Sequence, residues 1–348
     1  METAPYGELM QWWWLAPAVA AVSLALTALL RRYALRRRLL DVPNARSSHA
    51  APTPRGGGLA IVASFVAALT VAGAAGLLPI SLVGALALAG GIVAAVGFID
   101  DHGHLAARWR LLAHFAAAAA ALSILPEIPV PFGLSVPPAG AFLALLALGE
   151  VFYLVWTLNL YNFMDGIDGI AAVEAICVCL GGALVFLLGG APLLAAAPLL
   201  LAAATAGFLR WNWPPARIFM GDAGSGFLGF TLGVLSLQAA LLASAFFWSW
   251  TILLAVFISD ASLTLARRAR AGEKLHEAHS SHAYQHAARR WGHLRVTLAT
   301  AAIDLFWLLP LALAVVLGWL HPAIATTTAY APLLLLAWRL DAGTRKNG

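Results

Sequence analysis

The chain has 348 residues, of which 61% are hydrophobic and only 11% are charged, and its mean hydropathy is +0.84. This composition excludes an ordinary water-soluble domain, in which about a quarter of the residues are charged. The formal net charge of +5 suits anionic lipid headgroups and phosphorylated substrates rather than specifically nucleic acid. The sequence therefore predicts an integral membrane protein.

Eleven apolar stretches are long enough to cross the hydrocarbon core of a bilayer. They lie near 9–30, 56–76, 80–99, 107–125, 139–160, 169–189, 191–209, 221–241, 246–266, 296–316 and 319–338. We therefore predict one all-α domain over residues 1–348, a polytopic membrane protein with about eleven transmembrane helices.

The positions of the cationic side chains support this span count, because Lys and Arg accumulate in cytoplasmic loops. All 21 Lys and Arg residues fall on one side of an eleven-span arrangement whose N-terminus is outside. They lie in 31–55, 100–110, 210–217, 267–295 and the C-terminal stretch. A wrong count would scatter them to both faces, so the pattern predicts a cytoplasmic C-terminus.

Four polar residues at every third position interrupt the apolar run Asn159–Ile170, namely Asn159, Asn162, Asp165 and Asp168. Carboxylates and amides at the edge of a membrane are costly and are retained for a function. If the segment is helical, a three-residue spacing turns each side chain by about 60° from the last, and the four share one broad face. An Asx-rich turn explains one or two such residues, whereas four in register indicate a site for a cation and a polar ligand.

Asp100 and Asp101 follow directly after the apolar stretch 80–99. Carboxylates at a helix C-terminus face the negative end of the helix dipole and each other, so they require a cation or take part in proton transfer. The alternative is a solvated helix end paired with Arg108 and Arg110.

A third polar segment, Phe219–Gly226, lies at the start of the stretch 221–241. Asp222 stands where a helix N-cap is expected, and the glycines around it leave backbone N–H groups free to meet phosphate oxygens or a metal-bound ligand. The alternative is close packing of helices through small residues.

The loop 41–58 is basic and rich in turn residues, and its Arg55 and His49 are predicted to grip phosphate. Asp260 lies within a predicted span, seven residues before Arg267, and is the intramembrane acid most expected to contribute to the site.

The loop 267–295 carries five histidines among Arg and Lys residues. The spacing of His282 and His286 resembles a zinc site, but no Glu follows His282 and no thiolate is near, so zinc is disfavoured. Cationic and hydrogen-bonding groups for a diphosphate fit this loop better.

The polar chemistry gathers on one face of the predicted bundle, in loops 41–58, 100–110, 159–169, 210–226 and 267–295. A channel or carrier would need polar groups at mid-membrane depth and on both faces. The asymmetry therefore favours an enzyme that works at the cytoplasmic boundary.

Together these segments resemble the polyprenyl-phosphate N-acetylhexosamine-1-phosphate transferase family, the WecA/MraY-like enzymes. The resemblance runs from about residue 41 to residue 295 in one order. It rests on the Asp41–Gly58 loop, Asp100–Asp101, the run Asn159–Gly169, Phe219–Gly226 and the sequence from His282 to Gln285.

The resemblance implies that a UDP-N-acetylhexosamine, or a deoxy derivative, gives its sugar-1-phosphate to undecaprenyl phosphate and releases UMP. The product, undecaprenyl-diphospho-sugar, would initiate O-antigen or related cell-envelope glycan synthesis. The enzyme would lie in the bacterial inner membrane with its active site facing the cytoplasm, and it could form a homodimer.

The resemblance also assigns roles to individual residues. Asp100, Asp101 and Asp222 match catalytic acids, and Asp222 with Asp101 would bind Mg²⁺ or Mn²⁺. The residues expected to bind substrate are Asn162, Asp165 and Asp168 around the nucleoside, Phe219 on the uracil ring, His282 near the diphosphate, and the phosphate-gripping Arg55 and His49.

Two departures from the family pattern refine this prediction. His104 stands where enterobacterial glycan initiators carry a third acid, so no third acid is assigned there. The separated His279 and His282 replace three adjacent histidines of the peptidoglycan branch, which places the chain nearer the O-antigen or teichoic-acid initiators. Two other classes remain: an ion-coupled transporter, and a lipid phosphatase that uses the same acidic site.

Overall fold

The computed structural model describes residues 4–43, 51–103, 105–131, 140–274 and 279–344. Within these ranges the chain is helical almost throughout, and strands β1 (Leu40–Asp41) and β2 (Thr53–Pro54) form one short antiparallel pair. The helices are α1 (Ala4–Gln11), α2 (Leu15–Arg37), α3 (Leu59–Ala74), α4 (Ile80–Gly103), α5 (Ala107–Ile124), α6 (Gly140–Met164), α7 (Ile170–Leu188), α8 (Pro192–Asn212), α9 (Asp222–Ala240), α10 (Ser244–Leu253), α11 (Ala255–Arg270), α12 (Ala283–Trp291), α13 (His293–Val316) and α14 (Pro322–Arg339).

The all-α, multi-pass prediction is confirmed, and each predicted apolar stretch is helical over most of its length. Seven of the described helices are long and apolar enough to cross a membrane, or eight if α10 and α11 form one span. Helix α3 has only 16 residues, and α5 carries Arg108 and Arg110 in its first turn. The count of eleven and the orientation of the termini stay predictions.

Helices α10 and α11 meet at an angle of 71°. Leu254 separates them and has lost the helical backbone geometry, with φ −86° and ψ 5°. The bend directs α11 away from the line of α10. Its last turn carries Arg267, Arg268 and Arg270, which complement the negative end of the helix dipole.

Helix α9 is the centre of the bundle, and every residue after its first, Asp222, is buried. It packs against α4 and α6, which deliver Asp100, Asp101 and Asn162 to its N-terminal end. Other spans expose large apolar side chains such as Leu29, Leu145 and Phe306, as expected for helices that face lipid. The polar site thus lies at one end of a fully packed central helix.

The expectation that Asn159, Asn162, Asp165 and Asp168 line a single helical face is only half right. Helix α6 ends at Met164, so the two asparagines are helical and the two aspartates lie in the loop before α7. Gly169 has φ +77°, a conformation that glycine adopts without strain. The loop therefore turns the two carboxylates away from the direction of the helix.

Candidate active site

The carboxylates of Asp100 and Asp222 meet at one cationic nitrogen. The Nη1 atom of Arg110 donates a hydrogen bond to Asp100 Oδ2 and lies 3.2 Å from Asp222 Oδ2. The backbone N–H of Leu105 donates to the other Asp100 oxygen at 2.7 Å. These acids come from α4 and α9, and they form a charged centre that neither helix could build alone.

Asp101 is buried and points in a different direction from Asp100. Its two oxygens accept from the backbone N–H groups of Asp222 at 3.2 Å and Ala223 at 3.4 Å. These N–H groups belong to the first turn of α9, where intrahelical partners are missing. Asp101 therefore caps α9 from a separate helix and fixes the residue that carries the Asp222 carboxylate.

Gly221 makes this capping contact possible. The residue has φ +77°, and a Cβ atom there would stand 2.6 Å from Asp101 Oδ2. Both the backbone conformation and the approach of the carboxylate exclude a larger residue. Helix α9 begins at Asp222 with Gly221 as its N-cap, so Asp222 lies one residue inside the position expected from the sequence.

Asn162 joins α6 to the start of α9. Its side-chain amide donates to Ser225 Oγ at 2.9 Å and also hydrogen-bonds to the Asp222 carboxylate. Asp165 lies close enough for electrostatic contact with Asp222, and its pKa is raised well above the ordinary value, first by burial and then by the negative charges of Asp222, Asp101 and Asp168. These carboxylates and the Asn162 amide are suited to a cationic or hydrogen-bond-donating ligand.

Asp168 makes its contacts with the surrounding loops and helices. Its Oδ2 accepts from the backbone N–H of Ala216 at 3.0 Å and lies 3.3 Å from His293 Nδ1, while its carbonyl accepts from Thr297 at 3.0 Å. The next residue, Gly169, donates to Asn212 at 3.0 Å. Asp168 thus anchors the loop, and its role in binding substrate stays a prediction.

The predicted residues of the loop 41–58 are described only in part. The Arg55 side chain donates to the backbone carbonyl of Asp101, which places its guanidinium beside the acidic centre. The Phe219 backbone pairs with this segment, because its N–H donates to Pro54 at 2.8 Å and its carbonyl accepts from Gly57 at 2.9 Å. His49 lies outside the described residues.

His282 is almost completely buried, with an exposed fraction of 1%. Its Nδ1 lies 3.3 Å from Asp260, and its ring stacks on that of His279 with a centroid distance of 4.8 Å. Burial, together with the charges of His282 and Arg268, lowers the pKa of His279 to about 3, so its imidazole is neutral near neutral pH. The sequence reasoning missed His279, which is the more exposed of the two rings.

An apolar groove of about 710 Å³ begins beside the charged centre. It is lined by one residue of α5, by a stripe along α6 and by Leu265 of α11. Leu111 and Phe163, at its polar end, directly follow Arg110 and Asn162 in the sequence, and Asn159 also lines the wall. The groove therefore runs along the end of α6 that carries Asn162 and opens, through exposed side chains such as Phe152 and Trp156, on the lipid-facing flank of the bundle.

Arg110 is the main participant that the sequence reasoning did not select. The sequence indicated it only as a partner of a solvated helix end, yet the structure places it between two acids of different helices. Its position ten residues after Asp100 gave one usable signal, namely an Arg in the first turn of the next apolar helix. Ser225 was also missed because a serine among glycines carries no such signal.

These features define a class: a polytopic membrane protein whose acidic centre lies at the end of an apolar groove. Comparison with known proteins agrees. Residues 82–240 match the family described as glycosyl transferase family 4. The chain is 31% identical over 313 residues to a decaprenyl-phosphate N-acetylglucosaminephosphotransferase of Mycolicibacterium smegmatis, covering 78% of this chain and 75% of that protein.

Two further relatives extend the comparison. A probable undecaprenyl-phosphate N-acetylglucosaminyl 1-phosphate transferase of Bacillus subtilis is 32% identical over 251 residues, 70% of this chain and 68% of the relative. A phospho-N-acetylmuramoyl-pentapeptide-transferase of Chlamydia trachomatis is 46% identical, but over 84 residues, 23% of this chain and 25% of the relative. The chain belongs to the polyprenyl-phosphate N-acetylhexosamine-1-phosphate transferase family.

Proposed function

We propose that this enzyme transfers a sugar-1-phosphate from a UDP-sugar to undecaprenyl phosphate. The donor is a UDP-N-acetylhexosamine or a deoxy derivative, and the products are UMP and undecaprenyl-diphospho-sugar. The observation that supports the proposal most strongly is that the apolar groove is lined by Leu111 and Phe163, which directly follow Arg110 of the Asp100–Arg110–Asp222 centre and Asn162 beside it. A prenyl chain in the groove would bring its phosphate to that centre.

The same region offers room and polarity for the nucleotide. Asn162 and Asp165 lie close to Asp222 and supply hydrogen-bonding groups. In this proposal the lipid phosphate approaches along α5 and α6, and the nucleotide occupies the surface of the loop after α6. Two anionic substrates would then meet at Asp222.

Magnesium, or Mn²⁺ in its place, is part of the proposal. Among the residues that the structure describes, no three His, Cys, Asp or Glu side chains converge as a metal cage. Asp100 and Asp222, however, share one cationic nitrogen. Mg²⁺ is typically held by one or two carboxylates, waters and substrate phosphates, a set that these two acids fit. Bound there, the ion would neutralise charge on the transferring phosphate.

We assign the second ligand position to Asp100 rather than to Asp101. The sequence predicts Asp101, but both of its oxygens face backbone N–H groups of α9. A carboxylate that left these groups to bind a metal would expose two amide protons at a buried helix terminus. Asp101 therefore acts on Asp222 by positioning it.

The protein residues would act chiefly by positioning and by charge. Arg110 and Arg55 are the guanidinium groups next to the acids and can hold phosphate oxygens. Asp100 orients the lipid phosphate, whose oxygen attacks the phosphorus attached to the sugar while the bond to UMP breaks. Such alignment of two bound reactants supplies a large share of the rate in phosphoryl transfer.

The setting of the reaction follows from the same proposal. The enzyme lies in the bacterial inner membrane with the site on the cytoplasmic side, because Lys and Arg residues accumulate in cytoplasmic loops. Its product initiates O-antigen or a related cell-envelope glycan. A homodimer is part of the family expectation and can be measured by the mass of the detergent-solubilised particle.

The test is an assay on purified protein in detergent with a panel of UDP-sugars, undecaprenyl phosphate and Mg²⁺. We expect release of UMP that requires the lipid phosphate and needs no ion gradient. Phosphate release without a nucleotide sugar would instead identify a lipid phosphatase. Absence of UMP release with every UDP-sugar in the panel would overturn the proposal.

A further inference from the structure

Asp260 of α11 is buried, yet it belongs to no part of the proposed substrate site. Its carboxylate accepts from the backbone N–H groups of Ala283 at 2.9 Å and Tyr284 at 2.8 Å, and from the Thr264 hydroxyl at 3.0 Å. His282 Nδ1 lies 3.3 Å from the same group. Four polar contacts on one buried acid indicate a specific task.

Asp260 holds the start of α12. The N–H groups of Ala283 and Tyr284 lie in the first turn of that helix, where no intrahelical acceptor exists. Asp260 supplies the acceptor from α11, across the segment that carries the histidines. An apolar cavity of about 350 Å³, lined in part by Asp260 and Tyr284, adjoins these bonds, and apolar surroundings strengthen them.

Helix α12 in turn holds the loop that follows α6. The Tyr284 hydroxyl donates to the carbonyl of Phe163 at 3.0 Å. A Cβ atom at Gly166 would lie only 2.1 Å from that hydroxyl, so the loop packs directly on it. Burial raises the pKa of Tyr284 well above its ordinary value, which keeps the phenol protonated and able to donate.

The loop held in this way contains the residues on the nucleotide side of Asp222. Asn162 precedes Phe163 and bonds to Ser225 and Asp222, and Asp165 follows two residues later. Asp168 anchors the far end of the loop through separate partners. The near end of the loop therefore depends on Tyr284, and Tyr284 depends on Asp260.

We propose that Asp260 is a positioning residue for nucleotide-sugar binding, which acts through the first turn of α12 and the Tyr284–Phe163 hydrogen bond to place Asn162 and Asp165 beside Asp222. The proposal rests on the function proposed above. It commits the relay to the donor side of the site, because the apolar groove is lined mainly by α5 and by α6 upstream of the loop, and Phe163, which also lines it, contacts Tyr284 through its backbone carbonyl.

Steady-state kinetics of three variants test this relay. Asp260→Asn keeps the size of the side chain but replaces one of the two oxygens that accept from Ala283 and Tyr284 with an amide donor, and we expect KM for the UDP-sugar to rise about tenfold. Tyr284→Phe removes one neutral hydrogen bond and should raise it about fivefold. The double variant should resemble Asp260→Asn alone, since residues in one relay are not additive.

The other kinetic constants separate positioning from general damage. We expect kcat and KM for undecaprenyl phosphate to change by less than about threefold in these variants, because the Arg110 contacts of Asp100 and Asp222 and the groove lining from Gly149 to Asn159 lie outside the relay. The matched control is Ser249→Ala, which removes a buried hydrogen bond of 2.8 Å to Ala312 at a place outside the relay. It should leave both KM values unchanged.

Hydrogen exchange of the backbone gives a readout that does not need enzyme activity. In Asp260→Asn we expect faster exchange both in the first turn of α12 and in residues 162–168, whereas Ser249→Ala should affect neither. If the wild-type protein releases no UMP, the proposed function fails while exchange still tests the relay. Faster exchange confined to α12, or an unchanged KM for the UDP-sugar, would overturn the inference.

Discussion

Two kinds of carboxylate occur in this protein, and one of each kind stands at the adjacent positions Asp100 and Asp101. Asp100 and Asp222 meet a side-chain cation, Arg110. Asp101 and Asp260 instead accept from backbone N–H groups at the first turn of a helix to which they do not belong. The first pair can exchange its partner for a substrate or an ion, whereas the second pair holds helices together.

Two carboxylates that are adjacent in the sequence can therefore have different structural roles. Asp100 and Asp101 are neighbours on α4, but successive helical residues point about 100° apart. One therefore reaches the open centre and the other reaches the start of α9. The predictions below separate the two kinds of acid by what each variant loses.

The largest effect is expected for the exchangeable pair. Asp222→Asn and Asp100→Asn should each lower UMP release by about a thousandfold or more, because each removes charge that faces the reacting phosphates. Both variants should still unfold at temperatures close to that of the wild type. Glu127→Gln, which neutralises an exposed acid far from the site, is the control and should keep full activity; full activity in Asp222→Asn would refute its role.

Gly221→Ala tests how tightly Asp101 holds α9. The alanine must adopt φ +77°, and its methyl group would lie 2.6 Å from Asp101 Oδ2. We therefore expect a loss of stability of about 2–4 kcal/mol. Gly190→Ala is the matched control, because Gly190 has φ +83° but nothing within 4 Å of its added Cβ. Thermal unfolding in detergent should show the larger shift for Gly221→Ala; equal shifts would mean that the Asp101 contact is loose.

Asp101→Asn should act on stability first and on catalysis second. The amide keeps one acceptor for the α9 terminus and loses the charge, so we expect a cost of about 1–2 kcal/mol. Thermal unfolding measures that cost, and UMP release at low temperature should remain detectable. An Asp101→Asn protein as stable as the wild type and as inactive as Asp222→Asn would place Asp101 among the exchangeable acids.

Asp165 gives the smallest effect, and one that depends on pH. Its folded-state pKa is raised above the ordinary 3.8, mainly by burial and then by Asp222. The folded state thus binds the proton more tightly than the unfolded state, and stability falls as pH rises above that ordinary value. Asp165→Asn lacks this loss, so its unfolding temperature relative to the wild type should increase from about pH 5 to about pH 8. A difference that is constant with pH would contradict the raised pKa.

Much of the fold could be predicted from the sequence because its signals are local. Apolar stretches form helices in a membrane, since every backbone group must find a partner within the chain, and each predicted stretch is helical over most of its length. The bend between α10 and α11 could not be predicted, because the stretch 246–266 is continuous in hydropathy and the break at Leu254 arises from packing.

The sequence allowed several residues of the site to be predicted, but not the contacts that they make. Asp100, Asp222 and Asn162 were selected from their polar character in apolar surroundings, and the structure brings them together. The partner of each acid was not predictable, because Asp101 caps a helix 121 residues away and Asp260 one that begins 23 residues away. His282 was expected near substrate, but it is buried against Asp260.

The central claim is that Asp222 and Asp100 form the cation site while Asp101 serves the helix. It is tested most directly by titrating Mn²⁺ into purified enzyme with UDP-N-acetylglucosamine but without lipid acceptor, and by measuring the free ion by electron paramagnetic resonance. We predict that the wild type and Asp101→Asn bind Mn²⁺ beyond the nucleotide-only control, and that Asp222→Asn and Asp100→Asn do not. Binding that survives Asp100→Asn but is lost in Asp101→Asn would contradict the account.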